Sequence, residues 1–331
     1  MARVTISDIA NALDLSSTTV SFVLNGREMG ISPETRDRVL QKAHELNYRR
    51  VSRAVLSGWT RAAYLIENPA AFSRATTFYS NVYEYMRELA FEHRIETLMY
   101  EFNPNDDPVE AHQRLEMFKN LDIRVFLTNS KDVASFLSHD NRKVILLQSG
   151  ILENCTCIYC DDYEAGKLAA NYLFRKGHRI AGTVFTNTFK SPRYTGFIEE
   201  FLNLGGECPD EFDWKIQGCH SVDADYLTFE FRRCENMPTA IYCFADNYMY
   251  PVIRALSNLN LKVPDDVSLM GTDLLYWGQV ATPAFSTIDL QEKVFARKVF
   301  NAINDVLNDT PPYNAAVPVS LVPGETVKSL K

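Results

Sequence analysis

Between Ser16 and Asn25 the chain sets Ser16, Ser17, Thr18, Thr19, Ser21 and Asn25 around Val20, Val23 and Leu24. The three apolar residues recur at helical spacing and mark a buried face. Ser17, Thr18, Ser21, Phe22 and Asn25 fall on the opposite arc. Ser and Thr are poor helix formers away from caps, so stability alone leaves this run of hydroxyls without a reason. Small polar side chains let a short helix approach a major groove closely, where hydroxyls can meet base edges and phosphates. Other reactive residue types form no comparable pattern. Cys155, Cys157 and Cys160 make C-x-C-x-x-C, a spacing that can hold zinc or an iron–sulfur centre. They lie on an expected buried strand, where Cys155 and Cys157 share a face and Cys160 does not, which favours core packing. The neighbours Glu199-Glu200 and Asp265-Asp266 cannot share a face of a helix or strand, so they make poor acid–base pairs. There is no G-x-G-x-x-G, Walker A loop, H-E-x-x-H or G-x-S-x-G, and the six histidines show no ligand spacing. An enzyme is not expected, and neither is a cofactor or metal.

The hydroxyl-rich helix needs two others to hold it. Thr5 reads as an N-cap with Asp8 three residues on, followed by Ile6, Ile9, Ala10 and Leu13 at helical spacing. Ser16 caps the second helix, and Asn25-Gly26 ends it. Ser32-Pro33-Glu34 opens a third, whose apolar stripe is Val39, Leu40, Ala43 and Leu46.

This head is basic. Residues 1–61 carry nine Lys and Arg against six Asp and Glu, while the whole 331-residue chain has a net charge of −8. A +3 head on a −11 body suggests that the head alone meets a polyanion. At 46 % apolar and 23 % charged residues the composition is that of a globular protein. No apolar run reaches the ~18 residues of a membrane span, and MARVTISDIANALD lacks the apolar stretch of a secretory signal. Seven cysteines, an odd number, argue against a disulfide framework. A cytoplasmic protein is expected.

From residue 62 strand and helix patterns alternate, beginning with a strand over 62–66, a helix over 78–91 and a strand over 95–102, and continuing to a strand over 267–271. That alternation predicts parallel sheets wrapped by helices.

VTISDIANALDLSSTTVSFVLNG, followed by ISPETRDRVLQKAHELNY, resembles the DNA-binding headpiece of the lactose/galactose repressor (LacI/GalR) family. The body is similar to that family at Asp161–Gly166, Arg193–Phe197, Val263–Asp273 and Ser286–Gln291, and more loosely before residue 155. The resemblance implies a small all-α helix-turn-helix headpiece (1–48), a hinge linker (49–61) and an α/β core of two doubly wound parallel-sheet subdomains, periplasmic-binding-protein-like. Their expected boundaries are 62–159 plus 288–314 and 160–287 plus 315–331. It implies base reading by Ser17, Thr18 and Phe22, and largely backbone contacts by Ser16, Thr19, Ser21 and Asn25, with Thr5 also at the DNA. The family usually has Arg where this chain has Phe22. Phe22 either meets a thymine methyl, changing the operator, or folds back onto the head's core. Leu56 matches a leucine that wedges into the minor groove. The linker is short and lacks the usual proline-asparagine start, which leaves a plain tether as the other reading.

For the cleft between subdomains the resemblance implies an effector site of Arg193, Asp273, Asp246, Asp161, Gln148, Ser149 and His220. The family's usual Asn-Asp pair is reversed here as Asp246-Asn247, and a solvent-facing loop is the other reading of His220. Tyr79, Phe72 and Trp277 are candidate stacking surfaces, with core packing as the alternative. The expectation is thus a repressor acting as a homodimer on a near-palindromic double-stranded operator and controlled by a small molecule, a sugar or sugar derivative. The tail lacks a leucine heptad, which favours dimer over tetramer. The runner-up keeps the DNA-binding role with a repurposed or absent effector site.

Overall fold

A computed structural model describes residues 5–24, 31–46, 58–66, 78–102, 107–148, 150–186, 191–216 and 221–330. The chain forms two compact units, Met1–Thr60 with His112–Ile123, and Arg61–Ala111 with Arg124–Lys331.

In the first unit, helices α1 (Ile6–Leu13), α2 (Ser17–Leu24) and α3 (Pro33–Glu45) each pack on the other two. Their shared core is Ile9, Ala10, Val20, Val23, Val39 and Ala43. Thr5 and Asp8 form a reciprocal capping box, with the Asp8 carboxylate accepting from the Thr5 backbone N–H at 2.7 Å. Asp14 stops α1 in the left-handed conformation (φ 54°), which Asp tolerates better than most residues.

The second unit is built on two six-stranded sheets. The first has the order β11-β5-β4-β3-β1-β2, with β1 Thr60–Ile66, β2 Ile95–Glu101, β3 Ile123–Thr128, β4 Val144–Leu147, β5 Thr156–Cys160 and β11 Asn314–Val317. The second has the order β12-β10-β9-β8-β6-β7, with β6 Ala181–Thr186, β7 Asp213–Ile216, β8 Ala240–Cys243, β9 Ser268–Thr272, β10 Ser286–Asp289 and β12 Ser320–Val322. Strands β3, β4, β5 and β11 run parallel, as do β6 to β10, and β12 is antiparallel to β10. Central strands such as Val144–Leu147 and Ala240–Cys243 are buried along their length, as sheets covered on both faces require.

Intervening helices are α4 (Phe78–Glu92), α5 (Pro108–Asn120), α6 (Lys131–His139), α7 (Asp162–Arg175), α8 (Pro192–Asn203), α9 (Ser221–Arg233), α10 (Asp246–Asn258), α11 (Tyr276–Val280) and α12 (Glu292–Leu307). Helices α4 and α12 cover one face of the first sheet through Phe78, Val82, Phe295, Val299 and Ile303. On the second sheet, α7 and α8 contribute Ala165, Ala169, Phe197 and Phe201 to one core, while α9 and α10 contribute Leu227, Phe231, Met249 and Val252 to another.

The chain passes between sheets after β5, after β10 and after β11. The last passage follows Val317, not residue 314 as the sequence boundary had it. Asn314–Val317 pairs in parallel with Cys157–Cys160 and so belongs to the first sheet. Cys155, Cys157 and Cys160 are all buried, and their thiols donate to the carbonyls of Val144, Leu152 and Leu290 respectively. Among the described residues no helix is long and apolar enough to cross a membrane, and no group of three His, Cys, Asp or Glu could hold a metal ion.

Candidate functional site

Two places combine exposed or charged side chains with a reason for their position. The first is α2. Ser16, Ser17 and Thr18 are exposed, while Val20 and Val23 anchor the opposite face. Ser16 Oγ accepts from the Thr19 N–H at 3.0 Å, and the two hydroxyls share a hydrogen bond at 2.8 Å. This capping satisfies the helix start and points its N-terminal hydroxyls outward. Ser21 and Phe22 are half-buried. The partly buried side chains packed on the head's core are Ile6, Leu13, Leu15, Leu24, Ile31 and Leu46. Asn25 and Leu56 lie outside the described residues.

The second place is at the carboxyl ends of the strands in the second unit. Gly166 and Gly196 bring α7 and α8 into backbone contact: a Cβ on Gly166 would stand 2.1 Å from Arg193 O, and one on Gly196 would stand 2.2 Å from Tyr163 O. This closeness sets Asp162, at the start of α7, beside Arg193, at the start of α8. Arg193 is only 4 % exposed. Its Nε and Nη2 donate to Asp162 Oδ1 at 3.2 and 2.7 Å, and its Nη1 donates to Phe244 O at 2.5 Å. Nη1 also lies 3.8 Å from Asp273 Oδ1, and the guanidinium sits 4.6 Å from the centre of the Phe244 ring. Burial disfavours the Arg193 charge, but Asp162 and Asp273 outweigh it and raise its pKa further.

Asp273 directly follows β9 with φ 116°, a conformation that side chains rarely adopt, and Gln148, directly after β4, has φ 54°. Asp273 N–H donates to Ile288 O at 2.9 Å. Burial pushes the Asp273 carboxyl up to about 7, against the pull of Arg193 and with the help of Asp162. Gln148 Oε1 accepts from the Cys160 N–H at 2.7 Å, and its Nε2 donates to Asp162 Oδ2 at 3.3 Å. Gln148 therefore links the first sheet to the Arg193 cluster. Tyr79 on α4 has its phenol pushed up by burial and by the nearby Asp162.

Two sequence expectations are revised by these positions. Asp161 is exposed and N-caps α7 by accepting from the Glu164 N–H at 3.0 Å, so its neighbour Asp162 takes the place in the cluster. Asp246 is wholly buried behind the site. Its Oδ1 accepts from Thr287 Oγ1 at 2.7 Å and its Oδ2 from the Leu275 N–H at 2.9 Å. It therefore braces the turn after Asp273 and leaves no oxygen to face a ligand. Burial, then the Asp273 charge, holds its pKa well above the carboxylate range. Trp277 is 59 % exposed on α11 and stacks edgewise on Tyr276. Ser149, His220 and Phe72 lie outside the described residues.

Residues 5–50 match the model of bacterial regulatory proteins of the lacI family, and residues 170–327 match the periplasmic binding protein-like domain. The chain thus joins a LacI-family helix-turn-helix domain to a periplasmic-binding-protein-like domain. It is 25 % identical over 337 residues to the HTH-type transcriptional repressor PurR of Pasteurella multocida (strain Pm70), covering 98 % of this chain and 99 % of that protein. The PurR repressor of Serratia proteamaculans (strain 568) is 26 % identical over 313 residues, covering 91 % and 89 %. The same fold is found in a transcriptional regulator CelR–cellobiose complex (TM-score 0.71, 19 % identity, 98 % of this chain and 100 % of that one). A LacI family regulator from Enterococcus faecium with bound ribose also shares it (TM-score 0.68, 16 % identity, 82 % and 100 %). This pairing of domains is that of a DNA-binding transcriptional regulator.

The site also contains residues that the sequence did not single out. Glu292, at the start of α12, accepts from Asn81 Nδ2 with both oxygens at 3.0 Å, across 211 residues of sequence. Burial pushes Glu292 up to about 8, with Asp273 and Asp289 adding to the rise. Asp289 and Gln291 complete the rim, with Gln291 N–H donating to Asp289 Oδ1 at 2.6 Å. Asp289, inside the Ser286–Gln291 stretch, and Glu292, directly after it, were the available signal.

Proposed function

We propose that this regulator is a cytoplasmic repressor that binds a near-palindromic operator as a homodimer and releases or grips it according to a small polar molecule between the two sheets. The carrying observation is the Arg193–Asp162–Asp273 cluster, buried at the carboxyl ends of the strands in a chain that also exposes Ser16, Ser17 and Thr18 on α2. Ligands of doubly wound sheets bind at those strand ends. The repressors and sugar-bound regulators among its relatives support the same reading. For the homodimer, Tyr276, Trp277 and Val280 offer exposed apolar surface that suits a second copy. In this reading the core divides at the sheet passages, with residues 1–48 as the DNA-binding domain and 49–61 as the hinge.

Selection of bound duplexes from a randomised pool with the full chain tests it. A two-fold symmetric sequence should emerge, and its affinity should fall by roughly 10³–10⁵ between 50 and 200 mM salt if six to ten phosphates are contacted. Ser17→Ala with Thr18→Ala should erase the sequence preference while keeping the salt dependence. No enriched sequence, or one that survives the double substitution, refutes the proposal.

A further inference from the structure

We propose that Gln148 is a positioning residue for the regulator's response: its side-chain amide ties the first sheet to the Arg193 cluster on the second, and this tie sets how tightly the operator is held. The inference rests on the reading of that cluster as the sensing site. Its ground is a chain of hydrogen bonds that crosses between the sheets. Gln148 directly follows β4, in the first sheet, and its backbone N–H donates to Ile158 O at 2.8 Å. Its Oε1 accepts from the N–H of Cys160, the last residue of β5, at 2.7 Å. Its Nε2 donates to Asp162 Oδ2, at the start of α7, at 3.3 Å. Asp162 Oδ1 accepts in turn from Nε and Nη2 of Arg193 at 3.2 and 2.7 Å, and Arg193 Nη1 donates to Phe244 O. Asp162 thus gives one carboxylate oxygen to each sheet.

Position 148 calls for a carboxamide. The Cys160 N–H needs an acceptor, the Asp162 carboxylate needs a donor, and the two ends of one amide supply both. Both polar atoms are engaged within the chain, so the side chain acts on the site through Asp162. The backbone at Gln148 is left-handed, φ 54°, a conformation that persists where the surroundings fix it. The segment it grips is the first passage between the sheets, and the other two passages are bonded to that segment. The Cys160 thiol donates to Leu290 O at 3.4 Å, just after β10. The Asp161 N–H donates to Val317 O at 3.2 Å, at the end of β11. Gln148 therefore holds the point where all three passages meet. A ligand that shifts Arg193 or Asp162 pulls on this amide, and the first sheet feels the pull directly.

Operator affinity without ligand tests this, measured on the duplex that the full parent chain selects, at pH 5, 6.5 and 8, for Gln148→Glu and Gln148→Met against the parent. A glutamate here keeps the shape and still accepts from Cys160, but once ionised it sets a second carboxylate against Asp162. Protonated, it donates to Asp162 as the amide does. The charged and titratable groups around it are Asp162 from α7, Arg193 from α8 behind it, Cys160 from β5, and Lys131 from α6, whose Nζ stands 3.6 Å from the place of a Cβ on Gly150. Gln148→Glu should differ from the parent by about fivefold or more at pH 8 and rejoin it at pH 5. Gln148→Met should differ by a similar factor at every pH. Hydrogen exchange at pH 8 should be faster in Gln148→Glu over all three passages, in peptides spanning 158–163, 288–292 and 315–319. Parent-like affinity of both variants at pH 8, a Gln148→Glu change that persists at pH 5, or faster exchange confined to Cys160 overturns the inference and leaves the sensor reading standing. A parent that selects no operator overturns both. Recovery of Gln148→Glu at pH 5 is a signature that loss of folding does not give.

Discussion

Replacing Asp273 by Asn should make the unliganded protein more stable, and only above about pH 4. The folded-state value of about 7 stands roughly three units above the ordinary 3.8. At 1.36 kcal/mol per unit, the ionised carboxyl costs the fold about 4 kcal/mol at most, a figure that already includes its attraction to Arg193. A carboxyl raised on folding favours the folded state fully below its unfolded pKa, and that contribution drains away as pH climbs towards the folded value. Between pH 4 and 7 the folded form holds one more proton than the unfolded form, so stability falls by about 1.4 kcal/mol per pH unit from this group. Asn keeps the shape, and Arg193 stays held by Asp162 and Phe244 O. Thermal or urea unfolding of both proteins at pH 4.5, 6 and 8 should therefore show a gain of only about 1 kcal/mol at the first and of about 2–4 kcal/mol at the last. A variant less stable at pH 8, or one shifted equally at every pH, refutes the account of Asp273 as a carboxyl desolvated beyond what Arg193 offsets.

Gly166→Ala should destabilise the core by about 1–3 kcal/mol or more, because the new methyl meets backbone atoms of α8 at 2.1 and 2.6 Å. A melting temperature within a degree of the parent would contradict the backbone contact of α7 and α8. Phe22→Arg should move the selected operator towards guanine at one symmetric position, worth about 1–3 kcal/mol of discrimination. An unchanged selection would place Phe22 inside the head.

The head was legible because its stops and starts are local. Thr5 with Asp8, Ser16 and Ser32-Pro33 mark helix ends by chemistry that acts over three or four residues. The sheets were legible where strands are unbroken apolar runs, as at Val144–Leu147. Helix α12 went unread although Phe295, Ala296, Val299, Phe300 and Ile303 carry a clear helical stripe. In the site, Arg193 and Asp273 stand in motifs and could be named. The choice between Asp161 and Asp162 could not be made, since it turns on which residue is left outside the first turn of α7 as its cap. Asp246 was misplaced for a related reason: its burial depends on Gly271, on another strand, where a Cβ would lie 2.2 Å from Asp246 Oδ1. Glu292 and Asn81 meet only through the fold, and no spacing announces them.

Only Pro318 and Val319 stand between β11, at the edge of the first sheet, and β12, at the edge of the second. Three residue steps reach about 10–11 Å at full stretch, so the sheets are bound along that edge like two covers on one spine. They can swing but not slide far apart. Asp273 follows β9, two strands from the spine, while β7 is five strands away. With about 4.8 Å per strand, a ligand that draws the region of Asp273 inward by 1 Å moves the far edge by about 2.5 Å. The spine turns a small grip near the hinge line into a larger excursion at the outer strands.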